Sequence, residues 1–318
     1  VEKTDPNDAF ICADFARVRT GKNSKLVPFK ANQNIALQRL TRERMHLSQQ
    51  LTREKNYTLN NVYLKISGLA IATGKDKPFS DNFSAIAEAI LTEFNDPFDL
   101  ADLSLNDLVG YLKAASKNKG VEDYEKMADL IKKAINNSYK MDKISYDCLT
   151  SAITASINVI ECLEKQIKYL DKAIEKEMKG LYSTEYTILQ SLTGIGPVTA
   201  AGMLAEIGDI SYFDDDGALA KYAGLYWKRN DSGDFNSEDK LKPKSCNTYL
   251  KYYINLATQN SVHFGFSFTS EFYWRKYRET KTHKQRRALV LTSRKLLRLI
   301  FVLLRDKKMY VPVSVQET

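Results

Sequence analysis

Residues 151–182 read "SAITASINVIECLEKQIKYLDKAIEKEMKGLY", and the fold turns on how this stretch is understood. Ile153, Ile160, Ile167, Ile174 and Leu181 fall seven apart, while Ile157, Leu163, Leu170 and Met178 fill a second stripe between flanking Glu and Lys. An apolar seam with that period indicates a coiled coil or a long helical hairpin, in preference to an ordinary core helix. Two partners satisfy the pattern: the helix of residues 32–66 in the same chain, or a second subunit.

N-terminal to the seam, the chain reads as helical from about Asn32. Leu37, Leu40, Leu47 and Leu51 recur at helical spacing, and the stripe continues through Leu59, Val62 and Ile66 until "TGKDKPFSDNF" (73–83) breaks it. Residues 82–140 read as several short helices, with Ser104 and Asn106 as capping residues before "LVGYL". Residues 3–18 suggest a short amphipathic helix in which Asp5 and Asp8, three apart, share one face. They are either ordinary N-terminal helix acids or half of a metal site.

C-terminal to the seam the composition changes, and a domain boundary is expected near 183–187. In "LQSLTGIGPVTAAGMLAEIGDI" (189–210) an apolar helix end, a Gly-Ile-Gly turn and a small-residue helix opening at Pro197 make the pattern of a helix-hairpin-helix. Gly194 and Gly196 can both take positive φ, and Pro197 suits the first helical position. The amides of that turn and helix start can hold a phosphate, or the turn serves packing alone. Asp214, Asp215 and Asp216 read as helix-start and dipole residues, not as a metal cluster. "YWKRNDSGDFNSEDK" (226–240) reads as a polar turn or hairpin and "NTYLKYYINLATQNS" (247–261) as a helix. The closing basic amphipathic helix sets Arg286, Arg287, Arg294, Lys295 and Arg298 along a backbone-binding face. Nearby Tyr273, Trp274 and Tyr277 are placed either to stack on bases or to fill the core.

Charge and composition narrow the classes further. The net charge is +8, yet residues 240–308 hold 17 Lys and Arg against only 3 acids. A basic region beside an acidic remainder points to a polyanion, with DNA as the expected partner. The 7 Pro and 14 Gly in 318 residues suit long regular elements. Cys12, Cys148, Cys162 and Cys246 form no CxxC pair, which argues for reduced thiols in a cytoplasm and against zinc. The apolar run "LLRLIFVLL" (296–304) contains Arg298 and is far short of the roughly 20 residues a membrane span needs, so no membrane partner is expected.

The order of "KTDPNDAFICADFAR" (3–17), the helical middle, "LTGIGPVTAAGMLAEIGDISYF" (192–213), "LAKYAGL" (219–225), "SGDF" (232–235), "NTYLKYY" (247–253) and "THKQRRALVLTSRKLLRLIF" (282–301) resembles the DEDD-type insertion-sequence transposases of family one hundred and ten. The resemblance implies a RuvC-like α/β domain with four acids, a coiled coil, and a C-terminal α-rich transposase domain supplying a serine nucleophile. It also implies Mg²⁺ as cofactor, a structured guide RNA, a homodimer or higher homo-oligomer, and a cytoplasmic setting. On this basis the chain is expected to be mainly α, with 1–28 the end of the RuvC-like domain, 29–184 helical and coiled coil, 185–312 the transposase domain with its helix-hairpin-helix, and 313–318 a tail.

By the same resemblance Asp5 and Asp8 are the last two of the four acids, as catalytic residues and metal ligands, with the strands bearing the other two lying upstream of Val1. The family's Ser-Lys-x-Gly-Asn arrangement meets "PKSCN" here, so Pro243 stands where the serine belongs and Cys246 where Gly belongs. Lys244 and Asn247 match. Ser245 is the candidate replacement nucleophile, and the phosphate-facing set is Gly194, Gly196, Lys244, Arg286, Arg287, Arg294, Lys295 and Arg298. The implied activity is RNA-guided DNA cleavage and strand transfer, in a truncated copy whose competence Pro243 puts in question. The competing expectation is a non-catalytic nucleic-acid-binding protein derived from such a transposase. A purely structural coiled-coil protein leaves the basic segment and the Gly-Ile-Gly turn unexplained.

Overall fold

The computed structural model describes residues 5–19, 32–116, 123–226, 231–232, 235–236 and 245–311. Its elements in chain order are α1 (Asp5–Arg19), α2 (Asn32–Lys65), α3 (Ser67–Ile71), α4 (Ala85–Glu93), α5 (Pro97–Asp102), α6 (Leu105–Ala115), α7 (Tyr124–Asn136), α8 (Lys143–Leu181), α9 (Ser183–Gln190), α10 (Pro197–Ile207), α11 (Asp216–Tyr222), the short strands β1 (Asp231–Ser232) and β2 (Phe235–Asn236), α12 (Thr248–His263), α13 (Ser267–Arg278) and α14 (Lys284–Asp306). The fold is mainly helical. Among the described residues the only sheet is the antiparallel pair β1–β2, with Asp231 opposite Asn236. Of the expected α/β remnant, the described residues contain α1 alone.

Contacts divide the chain into two units: residues 43–172, and residues 1–42 together with 173–318. In the unit of 43–172, the second half of α2 and the first part of α8 run antiparallel. Lys55 Nζ reaches Glu164 Oε1 at 2.7 Å and Arg44 Nε reaches Asp171 Oδ1 at 2.6 Å, so the order of partners reverses along the two helices. The part of the seam within this unit therefore has a partner in the same chain, α2. Such half-exposed pairs add little energy. The stability comes from the apolar stripe, where Ile153, Ile157, Ile160 and Ile167 are all buried. Ile153 and Ile157 join Val62, Ile66, Ile90, Leu100, Leu108 and Ile131 in one core beneath α3–α7.

Short side-chain caps open the small helices of this core. Ser84, Asp96, Ser104 and Asp123 each accept a bond from a backbone N–H in the first turn, so Ser104 caps α6 as expected while Asn106 lies inside it. Gly68 of α3 lies so close to α7 that a Cβ there would stand 1.9 Å from the Ala134 carbonyl oxygen. Lys65 ends α2 in a fully buried position, with Nζ donating to the carbonyls of Leu91 (2.8 Å) and Phe94 (2.6 Å) and to Thr150 Oγ1 (2.6 Å).

The other unit is built around α10, buried from Thr199 to Ile207 between α9 and α12. Its run of small residues permits that close approach. A Cβ on Gly202 would stand 2.4 Å from the ring of Tyr253, itself fully buried and donating from its hydroxyl to the Thr41 carbonyl at 2.6 Å. Gly194 has φ +92° and abuts the backbone of α12, 2.3 Å from Ser261 N to a notional Cβ. Gly196 does not share the expected positive φ. It is an ordinary extended N-cap residue (φ −83°, ψ 175°) in front of Pro197, because the turn needs only one left-handed residue to reverse the chain.

α13 and α14 pack on each other, and α14 also lies against α12, burying Leu296, Leu297, Ile300 and Leu304. A helix is present at the N-terminus as α1, but its apolar residues are not gathered on one face as an amphipathic helix would have them. Phe10 is 73% exposed, Ile11 53% and Phe15 61%. Among the described residues no helix is long and apolar enough to cross a membrane.

Candidate functional site

Ser245 is exposed, and it lines a cavity of about 500 Å³ together with Arg42, Lys221, Tyr222, Cys246, Asn247 and Tyr249. Three parts of one unit line it: Arg42 of α2, the end of α11, and the loop into α12 with that helix's first residues, while Glu206 at the end of α10 bonds the Arg42 and Asn247 side chains.

The floor is organised by Glu206, the lone charged residue on α10 and fully buried. Its Oε1 accepts from Arg42 Nε at 2.7 Å, and its Oε2 accepts from Arg42 Nη2 at 2.9 Å. The parallel pair of bonds is the bidentate geometry in which Arg binds carboxylates best. The carboxylate in turn raises the Arg42 guanidinium above its already high value, so Arg42 is permanently cationic. Its plane lies 4.3 Å from the centre of the Tyr249 ring, a second contact that fixes it.

Asn247 links this ion pair to the loop that carries Ser245. Its Nδ2 donates to Glu206 Oε2 at 2.7 Å and to the Tyr222 hydroxyl at 2.8 Å, while Oδ1 accepts from Leu250 N at 2.9 Å and so caps α12. Both amide protons and the carbonyl oxygen are thus used. Its backbone N–H completes the hold by donating to the Tyr222 carbonyl at 2.8 Å. Gln38 Nε2 adds a longer bond to Glu206 Oε2 at 3.4 Å. Two residues before Asn247, Ser245 therefore hangs from a pinned point, in one cavity with a held cation (Arg42) and an exposed one (Lys221). The arrangement can receive a phosphodiester: cations for its oxygens, a hydroxyl at the edge, and a rigid base beneath.

The residues singled out from sequence separate into several groups. Ser245 and the matching Asn247 fall in this site, while Pro243 and Lys244 lie outside the described residues. Gly194 is held in packing against α12, and Gly196 is the more open of the two, with nothing within 4 Å of a notional Cβ. On α14, Arg286, Arg287 and Arg298 are exposed, with Arg287 reaching Glu279 at 3.3 Å. The two inner cations face the protein. Arg294 bonds Asp216 through both its carboxylate and its carbonyl, at 3.1 Å each, and Lys295 Nζ donates to the Phe268 carbonyl at 2.9 Å. Asp215 caps α11, accepting from Ala218 N at 2.6 Å, which accounts for two of the three consecutive acids.

Asp5 and Asp8 stand exposed in the first turn of α1. Their oxygens are the hard donors Mg²⁺ prefers, but two carboxylates fill a minority of an octahedral shell. Among the described residues no group of three or more His, Cys, Asp or Glu could hold an ion. These residues alone do not make a metal centre.

Arg42, Glu206, Tyr222 and Tyr249 are functional candidates that motif reading passes over. One signal for them is present in the sequence: Glu206 is a single acid within the apolar helix "PVTAAGMLAEI" (197–207), and a buried acid demands a cation.

Comparison with known proteins bears on what this site serves. Residues 186–273 match the family described as "Transposase IS116/IS110/IS902 family", and residues 1–63 match a second, DEDD-type model of IS110 described as "Transposase". The chain is 25% identical over 314 residues to the "uncharacterized 44.8 kDa protein" of insertion element IS116 from Streptomyces clavuligerus, covering 98% of this chain and 73% of that one. It is 26% identical over 323 residues to the 42 kDa protein of insertion element IS900 from Mycobacterium paratuberculosis, covering 98% and 74%. A shorter match, 30% over 162 residues, links it to the 43.6 kDa protein of IS110 from Streptomyces coelicolor, covering 51% and 37%. The two matched segments and the relatives aligned over nearly the whole chain make it similar, at both ends, to the insertion-element transposases of the IS116/IS110/IS902 family.

Proposed function

We propose that the chain cleaves and rejoins DNA in transposition of an insertion element, with Ser245 as nucleophile in the cavity above Glu206. The observation that carries this reading is an exposed hydroxyl held two residues from a pinned Asn, beside Arg42 and Lys221 in one cavity. Ser245 Oγ attacks phosphorus, forming a serine–phosphate ester as the P–O bond to one deoxyribose breaks. The hydroxyl proton leaves to solvent or a neighbouring base, and the released sugar oxygen takes up a proton. Arg42 and Lys221 neutralise the phosphoryl oxygens as charge builds on them. Rejoining reverses the step with a hydroxyl of another strand, so phosphodiester energy is conserved.

The family resemblance extends the proposal to Mg²⁺, for which Asp5 and Asp8 would be two ligands, to a structured RNA that selects the DNA, and to a homo-oligomer. Exposed Arg286, Arg287 and Arg298 would carry backbone contacts. The test is to incubate the chain with labelled DNA carrying the element's ends, with the RNA transcribed from the element, and to look for a denaturant-resistant protein–DNA adduct. Peptide mapping should put the label on Ser245, and Ser245→Ala should abolish it. An adduct that survives Ser245→Ala would overturn the assignment. A second reading is favoured by Pro243, which stands where the resemblance expects the nucleophile: DNA bound tightly with no adduct would identify a non-catalytic binding protein.

A further inference from the structure

A second cavity, of about 530 Å³, lies in the same unit where α12, α13 and α14 meet. Tyr273 and Trp274 form its aromatic wall, and Gln259, His263 and Gln285 supply polar groups around it. The wall is part of a three-ring cluster. Tyr273 and Tyr277 stack at 6.2 Å with planes 28° apart, and Trp274 sets its edge against both, at 5.2 and 5.5 Å. Trp274 is nevertheless 46% exposed, so the most polarisable ring in the cluster is braced by its neighbours but not covered.

The surroundings are cationic. Lys284 lies 5.7 Å from the Tyr277 ring centre, and Lys281, Lys284, Arg286 and Arg287 are all exposed at the start of α14. That start carries no acid in its first turn, so cations crowd the end of the helix where the dipole is already positive. Among neighbouring acids, Glu279 is occupied by Lys276 at 2.7 Å and by Arg287 at 3.3 Å.

We propose that this cavity takes an unpaired nucleobase of a single-stranded nucleic acid, stacked on Trp274, with the flanking phosphates on Lys281, Lys284 and Arg286. A braced, half-open indole beside amide groups and unneutralised cations fits a ligand that is flat and aromatic at one end and anionic at the other. Gln259 and Gln285 each offer donor and acceptor to a base edge. A paired duplex cannot present a base face to this wall without unstacking it. The inference rests on the nucleic-acid reading above but needs no cleavage.

The test is fluorescence anisotropy of the full chain with labelled oligothymidylate and oligouridylate of about 12 nucleotides, within the usual range of site sizes, and with a blunt duplex as control. Trp274→Ala is expected to weaken single-strand binding about 5- to 150-fold, the range one base–aromatic stack contributes, with the thermal midpoint and duplex binding unchanged. Trp274→Phe should restore most of the affinity, because a ring is kept. Whichever strand shows the larger loss is the source, DNA or RNA. Lys284→Gln with Arg286→Gln should instead flatten the dependence of affinity on salt. Ser245→Ala should leave all of this intact, so failure of the adduct and failure of the platform are read separately. Equal binding by the wild type and Trp274→Ala, an equal loss on duplex, or no single-strand binding by the wild type would each overturn the proposal.

Discussion

Replacing Arg42 by Met removes the main partner of a carboxylate that has no access to water. Among its other partners, Glu206 would keep Asn247 at 2.7 Å and Gln38 at 3.4 Å, both uncharged. Breaking a buried ion pair from one side costs about 3–5 kcal/mol, because the surviving charge stays desolvated. The two sides are not equivalent here. The Glu206 side chain is 0% exposed and that of Arg42 is 31% exposed, so Arg42 left alone can turn to solvent while Glu206 cannot. Glu206→Gln should therefore cost less, about 1–2 kcal/mol for lost charge-assisted bonds. At roughly 2–4 °C per kcal/mol for a body of this size, Arg42→Met should lower the thermal midpoint by about 6–20 °C. The double variant Arg42→Met/Glu206→Gln should be more stable than Arg42→Met alone, since it removes the stranded charge. Circular dichroism melts of the four chains measure this cycle. Simple additivity, or a larger loss for Glu206→Gln than for Arg42→Met, would refute the idea that Glu206 is the costly member.

Two further outcomes test packing and titration. Gly194→Ala places a methyl 2.3 Å from Ser261 N at a φ of +92°, so it combines backbone strain with a clash against rigid backbone. It should cost more than about 2 kcal/mol, whereas Gly196→Ala, extended and open, should cost far less; chemical denaturation of both variants separates them. Burial lowers the Lys65 pKa to about 8 from the ordinary 10.5, a shift that Asp96 partly opposes. Below about 8 both folded and unfolded chains are protonated there. Between about 8 and 10.5 the unfolded chain holds the extra proton, so stability should rise with pH by at most about 1.4 kcal/mol per unit. Denaturant titrations across that window should show the rise in the wild type and a flatter profile in Lys65→Met; identical profiles would show that Lys65 does not titrate this way.

Much of this architecture is legible in local pattern. The seven-residue repeat of 151–182 lies on α8, the stripe from Leu37 to Val62 on α2, with Ile66 just past its end, and the caps at Ser104 and Asp215 where short polar side chains precede apolar runs. These depend on neighbours a few positions away, which a sequence displays directly. What pairs with what is not displayed. The seam suits a second subunit as well as α2, and it takes the reversed order of Lys55–Glu164 and Arg44–Asp171, with the shared core of Val62, Ile153 and Ile157, to pair its first part with α2. Arg294 and Lys295 look like their exposed neighbour Arg298 in sequence, yet one helical turn decides that they face Asp216 and Phe268. The cavity is the least legible part. Its central contact joins residues 164 apart, and nothing near Arg42 hints at an acid on a distant apolar helix.

That separation also sets an order of events during synthesis. The segment 43–172 encloses its own core and is complete once about 130 residues beyond Arg42 have been made. Arg42 and Thr41, by contrast, must wait for Glu206 and Tyr253, 164 and 212 residues downstream. At about 5–20 residues per second the ribosome takes roughly 10–40 s to supply them. During that interval the first turns of α2 have no core to join, and the unit that holds Ser245 closes only after its last helices emerge. A chain released before α12 is made would carry a finished middle and an unassembled site.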